Sequence, residues 1–437
     1  MKWSLPAARR RRHTFRMGGS VLKRSAAVAV WAVLAASGSF ADGIYEPVPL
    51  RGKERHDLIE TAGQYHDQFI RRSLLYGDER VLDLVRRIGH GLAPAPTDDY
   101  FAYEFFVIRD PSPNAFAMPN GKIYVHTGML ARLADSSQLA ALLGHEINHV
   151  AGHHSIVQFR IKAGQILDSI FTGGVISLFT QLRFSRELEQ EADDRAPLLM
   201  LDSPYDPHAV PELMELLAED FEGLRPRVAS IWTTHPEPEK RAAASRAVVA
   251  DMPARTRDAE QFDAVVHPLR ALTIRDYIRD DYPYTAIAVA QTMLEKYPDD
   301  LEFRLLLGDA WKALGPRSEF APEDFTNSDK RRNLRQRAFR TRVERRERLL
   351  ETEEGRAAFA RNMGYARGIY EEILARDAAY APARRGLGEV YEALGRPRDA
   401  AREYLEYVRQ SPDAPDRSII IARLTALRDA LAQGGSE

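Results

Sequence analysis

The stretch Leu143-Gly144-His145-Glu146-Ile147-Asn148-His149 carries the motif H-E-x-x-H. Apolar residues recur three and four positions apart around it, which predicts a helix from Leu139 to about Val157. The preceding run 135–138, Asp-Ser-Ser-Gln, is a suitable N-cap for that helix. Residues i and i+4 share one helical face, so His145 and His149 can hold one metal ion together. Glu146 then projects beside that ion, where its carboxylate can take a proton from a bound water.

Two imidazoles leave a catalytic zinc ion one ligand short, because such sites use three protein ligands and one open position. A histidine six residues beyond His149 would complete an extended motif, but Ser155 occupies that position. The segment 185–193, Ser-Arg-Glu-Leu-Glu-Gln-Glu-Ala-Asp, offers a glutamate instead. Glu189 and Asp193 are one turn apart, so Glu189 can ligate while Asp193 accepts a hydrogen bond from a ligand imidazole. The rival ligands on other faces of this helix are interpreted as solvated: Glu187 and Glu191.

Composition restricts the chemistry of the chain. Its 437 residues include no cysteine, 61 Lys and Arg, and 63 Asp and Glu. This length allows two or three domains. Without cysteine, disulfides, thiolate metal sites and cysteine proteases are excluded, so a metal site must use His, Asp and Glu. Residues 1–41 hold eight basic residues and no acidic one, which leaves 53 basic against 63 acidic residues, a formal charge of −10. An acidic body argues against a general nucleic-acid binder.

The N-terminal segment 1–41 is typical of a secretory signal peptide. Lys23-Arg24 precedes the apolar run 25–36, and Ser39-Phe40-Ala41 supplies small residues at the −3 and −1 positions of a cleavage site. A mature chain starting at Asp42 is therefore expected outside the cytoplasm. The alternative is an uncleaved membrane anchor, for which about 12 apolar residues are short of the ~20 that a span needs. Translation from Met17 instead of Met1 also fits the pattern.

The remaining sequence on either side of the motif predicts helices around a small sheet. Residues 55–92 have helical spacing, and Phe105–Ile108 are expected to form a strand. Ala115–Met118 and Ile123–Val125 flank an Asn-Gly turn signal and predict a hairpin. The apolar residues 163–182 predict a helical hairpin that either packs in the core or covers the site as a lid.

Beyond residue 262 the chain becomes repetitive. The pattern Leu-Gly-x-x-aromatic-x-x-Leu-Gly occurs at 307–315 and again at 387–395. It is typical of tetratricopeptide repeats of 34 residues. The two copies do not lie a whole number of such periods apart, which predicts an insertion at about 316–361. Ten basic residues between 330 and 348 are compatible with nucleic-acid or anionic-lipid binding, but interleaved glutamates favour a solvated charged helix.

These motifs, together with Asn114-Ala-Phe-Ala-Met-Pro-Asn-Gly121, resemble the HtpX/CAAX-prenyl-protease-like zinc peptidases. A signal peptide, a peptidase domain and C-terminal repeats together resemble the BepA-type periplasmic proteases. The resemblance implies one Zn²⁺ per chain, with His145, His149 and Glu189 as ligands and Glu146 as general base. It implies a mainly α architecture, in which an α+β zincin-like (gluzincin) peptidase domain with a small sheet is followed by an α-solenoid of tetratricopeptide repeats. The expected domains are 1–41, 42–262 and 263–437.

Two further residues are candidates for the site. Thr234-His235-Pro236 resembles the H-P segment that follows the zinc helices in this family. His235 could stabilise the oxyanion, occupy the open metal position in a latent state, or serve as a structural histidine. Arg241 could neutralise Asp193 or another carboxylate of the site. The other nearby histidines are expected to be structural: His126, His153 and His154.

The resemblance also implies a periplasmic location and work on outer-membrane protein assembly and quality control. The expected activity is a zinc-dependent endopeptidase acting on misfolded or stalled envelope proteins, with no nucleic-acid partner. Either hairpin strand could hold an extended substrate by edge pairing. The alternative function is a chaperone-like adaptor that docks on an outer-membrane assembly complex through its repeats, with little proteolysis.

Overall fold

A computed structural model describes residues 52–95, 102–154, 156, 186–224, 238–317 and 344–433. The signal segment, the apolar segment 163–182, His235 and most of the charged insertion lie outside the described residues. Within these ranges, no helix combines the length and the hydropathy that crossing a membrane requires.

Helices dominate the described chain, and one small sheet lies near its start. The strands are β1 (Glu104–Ile108), β2 (Ala115–Ala117) and β3 (Lys122–His126). The helices before and around the metal-binding motif are α1 (Gly52–Arg71), α2 (Glu79–Leu92), α3 (Thr127–Leu130), α4 (Ser136–Ala151), α5 (Arg186–Met200), α6 (Ala209–Leu224) and α7 (Pro238–Val249). The later helices are α8 (Ala259–Arg279), α9 (Pro283–Lys296), α10 (Leu301–Leu314), α11 (Glu353–Arg376), α12 (Ala381–Ala393), α13 (Pro397–Gln410) and α14 (Arg417–Gln433).

The sheet has the strand order β1-β3-β2, with β1 parallel and β2 antiparallel to β3. The hairpin predicted around the Asn-Gly pair is present, and Gly121 has the positive φ of 82° that its turn needs. Alternate residues point to opposite faces, as a strand requires. Ile123 and Val125 join the core shared with α2 and α4, whereas Tyr124 faces the cluster formed with α1. The sheet is thus buried on both faces.

The segment 72–78 corrects the prediction of continuous helix over 55–92. Ser73 has a positive φ of 52°, and Leu75 forms a bridge with Ile108 at the outer edge of β1. The main-chain N–H of Tyr76 donates to the carbonyl of Val107 at 2.8 Å. Pairing with an exposed strand edge therefore replaces one helical turn, and it covers that edge.

Helix α4 carries the metal-binding motif and is buried along its whole length. The side chain of Asp135 accepts a hydrogen bond from the N–H of Gln138 at 2.9 Å, so the expected N-cap is present. The helix ends at Ala151, before the predicted end at Val157. His153 has a positive φ of 56°, which interrupts the right-handed helix, and helical backbone is present again at His154 and Ile156.

Helix α8 contacts the chain that leads into α4. Its fully buried Arg270 donates from Nε to the carbonyl of Ala131 and from Nη2 to that of Leu133, both at 3.1 Å. Arg109, which follows β1, makes a bidentate pair with Asp276 of α8 at 2.9 and 3.0 Å. These contacts fix the start of the C-terminal helices against the loops that surround the motif helix.

The helices α8 to α14 pack mainly on their neighbours in sequence. The two copies of the Leu-Gly pattern have the same packing role. A Cβ on Gly308 would lie 2.7 Å from the ring of Tyr370, and one on Gly388 would lie 2.5 Å from the ring of Tyr404. Each glycine therefore lets a buried tyrosine of a later helix approach the backbone closely.

Candidate metal centre

Three predicted ligands converge at the interface of α4 and α5. His145 and His149 come from α4 and Glu189 from α5, and at most 2% of each residue is exposed. The Nε2 atoms of the two histidines are 3.0 Å apart. Oxygens of Glu189 lie 3.7 Å from Nε2 of His145 and 3.4 Å from Nε2 of His149. The three side chains form a cluster that could hold a metal ion.

The spacing of these donor atoms fits a tetrahedral site. Zinc binds imidazole nitrogen at about 2.0–2.1 Å and carboxylate oxygen at about 2.0–2.2 Å, so its ligand atoms lie roughly 3.3–3.5 Å from one another. The two imidazole nitrogens are 3.0 Å apart, and the nearest Glu189 oxygen to each lies at 3.7 Å (Oε2 to His145) and 3.4 Å (Oε1 to His149), which is close to that range. Three protein donors leave a fourth position for water or substrate, as catalytic zinc sites require.

His145 is oriented by a carboxylate one helical turn beyond Glu189. Its Nδ1 lies 2.9 Å from Oδ1 of Asp193, which directs its other nitrogen, Nε2, toward the ligand cluster. Burial alone would raise the pKa of Asp193, but Arg241 and His145 lower it to about 2. Asp193 is therefore an anion that accepts a hydrogen bond from the imidazole of His145.

Arg241 of α7 neutralises part of the buried negative charge. It contacts Asp193 at 2.6 and 2.8 Å and Glu189 at 2.9 Å, and only 6% of the residue is exposed. The fully buried Glu146 adds a third carboxylate that interacts with this guanidinium. Three carboxylates and one guanidinium have a formal charge of −2, which one divalent cation balances. Buried charge without such balance is costly, so this set favours a divalent ion.

His149 has a partner that the sequence did not reveal. Its Nδ1 lies 3.0 Å from Nδ1 of His154, and burial lowers the pKa of His154 to about 4. A neutral His154 can accept a hydrogen bond from Nδ1–H of His149, which directs Nε2 of His149 toward the cluster. Nε2 of His154 in turn lies 3.6 Å from Glu191, which pairs with Arg195 at 2.6 Å.

The side chain of Glu191 is 37% exposed, so it keeps the contact with solvent that the sequence predicted, and its carboxylate also reaches His154. His154 follows the end of α4, so helical spacing could not place it beside His149. The turn at His153 brings the imidazole of His154 beside that of His149. Another expected structural histidine, His126, is fully buried, with Nδ1 2.9 Å from Oγ of Ser112. His235 lies outside the described residues, and its role stays a prediction.

The sheet topology decides between the two strands considered for substrate binding. β3 lies between β1 and β2, so both of its edges are used. β3 is therefore excluded, and β2 remains as an outer strand of the sheet, buried along its length. β2 also packs against α4.

The described fold is mainly helical, and it buries two histidines and a glutamate together, with a second glutamate next to the first histidine. These features define a metallopeptidase domain of the H-E-x-x-H type. Residues 79–249 match peptidase family M48. This part of the chain is an M48 peptidase domain.

Curated relatives include metallopeptidases of mitochondria and bacteria. The chain is 33% identical over 150 residues to the mitochondrial metalloendopeptidase OMA1 of Schizosaccharomyces pombe, covering 32% of this chain and 44% of that protein. It is 29% identical over 189 residues to the putative beta-barrel assembly-enhancing protease of Vibrio cholerae, covering 38% of each. It is 28% identical over 179 residues to the metalloprotease LoiP of Escherichia coli, covering 38% of this chain and 67% of LoiP. The matched part thus spans less than half of the first two relatives. The predicted resemblance to BepA-type peptidases is confirmed for the peptidase domain.

Proposed function

We propose that this chain is a zinc-dependent endopeptidase that acts in the assembly and quality control of outer-membrane proteins. The observation that carries the proposal is the buried set His145, His149 and Glu189, whose surroundings have the formal charge that a divalent cation balances. Two imidazoles and one carboxylate suit zinc.

A zinc ion held by this set would polarise the scissile carbonyl and lower the pKa of a bound water to ≈ 7. Glu146 follows the first ligand on α4, so its carboxylate can take the proton of the attacking water and later deliver it to the leaving amine. Asp193 and His154 hold the ligand imidazoles in the required tautomer. Arg241 keeps Asp193 ionised and pairs with Glu189.

Binding of an extended segment by strand pairing would suit the proposed substrates. Main-chain hydrogen bonds to a strand need an extended partner and read little of its sequence, so unfolded segments are favoured over folded proteins. The relative from Vibrio cholerae has a name that refers to beta-barrel assembly. With the signal-like segment 1–41, we infer a periplasmic location, a peptidase domain over 42–262 and tetratricopeptide repeats over 263–437. Misassembled outer-membrane proteins would then be the substrates.

The test combines metal analysis with proteolysis of an unfolded protein. Bound metal is measured by mass spectrometry and casein cleavage by gel, for the wild type and for Glu146→Gln, which removes the proton acceptor but keeps the side-chain volume. We expect about one zinc per chain in both and cleavage in the wild type alone. Glu189→Gln should lose zinc, whereas the matched variant Glu187→Gln on the exposed face of α5 should keep it. A wild type without metal after zinc is supplied would refute the proposal.

The helical C-terminal part supports a second candidate, an assembly adaptor with little proteolysis. Its stacked helices place side chains from distant parts of the sequence along one cleft, which suits partner binding. Full cellular function of Glu146→Gln would favour the adaptor, whereas loss of function with normal zinc content would favour the peptidase.

A further inference from the structure

The position before the second histidine of the motif holds an asparagine, Asn148. It lies three residues after His145 and one before His149, so it shares the helical face that carries both histidines toward α5. Its side chain is fully buried, and the amide Nδ2 donates to the main-chain carbonyl of Ala192 at 3.3 Å. Because Ala192 directly precedes Asp193 on α5, this hydrogen bond joins the two helices at the level of the metal-binding cluster.

Small residues form part of the contact between α4 and α5. A Cβ on Gly144 would lie 3.5 to 3.6 Å from atoms of Ala196, and the side chains of Ala192 and Ala196 are fully buried. Small side chains let two helices approach closely, but they interlock little and so hold the register of one helix along the other only weakly.

The metal-binding cluster depends on this register. A shift of α5 by one residue along its axis would move Glu189 by about 1.5 Å. Metal–ligand distances are held within about 0.2 Å, so even a fraction of that shift would disturb a site in which Glu189 meets His145 and His149. A directional contact is therefore needed to fix α5 in place.

The hydrogen bond from Asn148 fixes the main chain of α5 itself. The carboxylates of Glu189 and Asp193 reach α4 through rotatable side chains, which can follow a shifted backbone. The main chain is also weakened at this turn, because Pro197 lies inside α5 and has no N–H to donate to the carbonyl of Asp193. Asn148 thus holds α5 where the hydrogen bonding of the helix is incomplete.

We propose that Asn148 is a positioning residue that fixes the register of α5 on α4 and so places Glu189 for metal binding. The inference rests on the proposed function, because the role it assigns is directed at the metal of that site. Asn148 acts through the main chain of α5 and not as a ligand. Loss of such an outer partner typically lowers metal affinity 10- to 100-fold.

The test compares Asn148→Ala with Asn362→Ala in the full chain. Asn362 of α11 is the matched control, because it is 1% exposed and its amide donates to the carbonyls of Gly315 and Arg317 at 2.8 and 3.0 Å. Each variant is loaded with Co²⁺, whose visible absorption spectrum reports the geometry of the ligands. Zinc affinity is measured by competition with a chelator, and the stability of the metal-free chain by urea unfolding.

We expect both substitutions to destabilise the metal-free chain, since each removes a buried hydrogen bond. Only Asn148→Ala should lower the zinc affinity tenfold or more and change the cobalt spectrum. An unchanged affinity and spectrum in Asn148→Ala, or equal changes in the two variants, would overturn the proposal.

If Asn148→Ala fails to fold, Asn148→Ser carries the test, because serine keeps a polar group at the position but is too short to reach the carbonyl of Ala192. It should lose zinc affinity in the same way, and wild-type affinity would overturn the role. A wild type that binds neither cobalt nor zinc would refute the metal site itself. Wild-type binding together with unaltered binding in the Asn148 variants would refute only the role of Asn148.

Discussion

Replacing Arg241 by methionine should strongly destabilise the metal-free protein. The change keeps a long side chain but leaves Asp193 and Glu189 without the cation that contacts them at 2.6 to 2.9 Å. The formal charge of the buried set, with Glu146, falls from −2 to −3. Removing one partner of a buried ion pair costs about 3–5 kcal/mol, because the remaining charge stays desolvated. We expect a loss of that size in the free energy of unfolding.

The assay is urea unfolding of the chelator-treated protein, followed by circular dichroism, with Arg246→Met as control. Arg246 lies on the same helix, is 58% exposed and pairs with Glu215 at the surface, so its loss should cost less than about 1 kcal/mol. Added zinc should stabilise Arg241→Met more than the wild type, since the cation then offsets a larger negative charge. Equal losses in the two arginine variants would refute the assignment of Arg241 as the neutralising group.

Three further changes test the site and the helical packing. His154→Leu should lower zinc affinity roughly 10- to 100-fold, because His149 loses the group that orients it. Competition with a chelator measures this affinity. An unchanged affinity would show that His154 does not orient His149. Gly308→Ala should lower the free energy of unfolding in denaturant by about 1–3 kcal/mol, because its Cβ would lie 2.7 Å from the Tyr370 ring. The control Gly364→Ala has open space at its Cβ and should lower it by nothing. In the metal-free protein, folding lowers the pKa of Asp193 from 3.8 to about 2. Its contribution of about 2 kcal/mol to the free energy of unfolding is therefore present above pH 3.8 and is lost as the pH falls toward 2. In Asp193→Asn, this part of the pH dependence should be absent when stability is measured between about pH 5 and 2.

Local sequence signals predicted much of the peptidase framework. The H-E-x-x-H spacing, the Asp135 cap and the Asn-Gly turn each depend on neighbours within a few residues, and the helix, cap and hairpin are all present. The choice of Glu189 over Glu187 also followed from helical periodicity, because only one face of α5 meets α4. The E-x-x-x-D spacing likewise placed Asp193 on that face, beside His145.

The sequence by itself thus determined the type of chemistry: which side chains can hold a metal ion, and which helices present them. Only the tertiary structure decided how the site is supported. The turn at His153 brings His154 back to His149, and Arg241 reaches two carboxylates from a helix about 50 residues away. The cleft between the C-terminal helices likewise combines residues from 275 to 423. Periodicity is a property of neighbours along the chain, whereas burial and electrostatic energy are sums over neighbours in space, and these are fixed only when the helices pack.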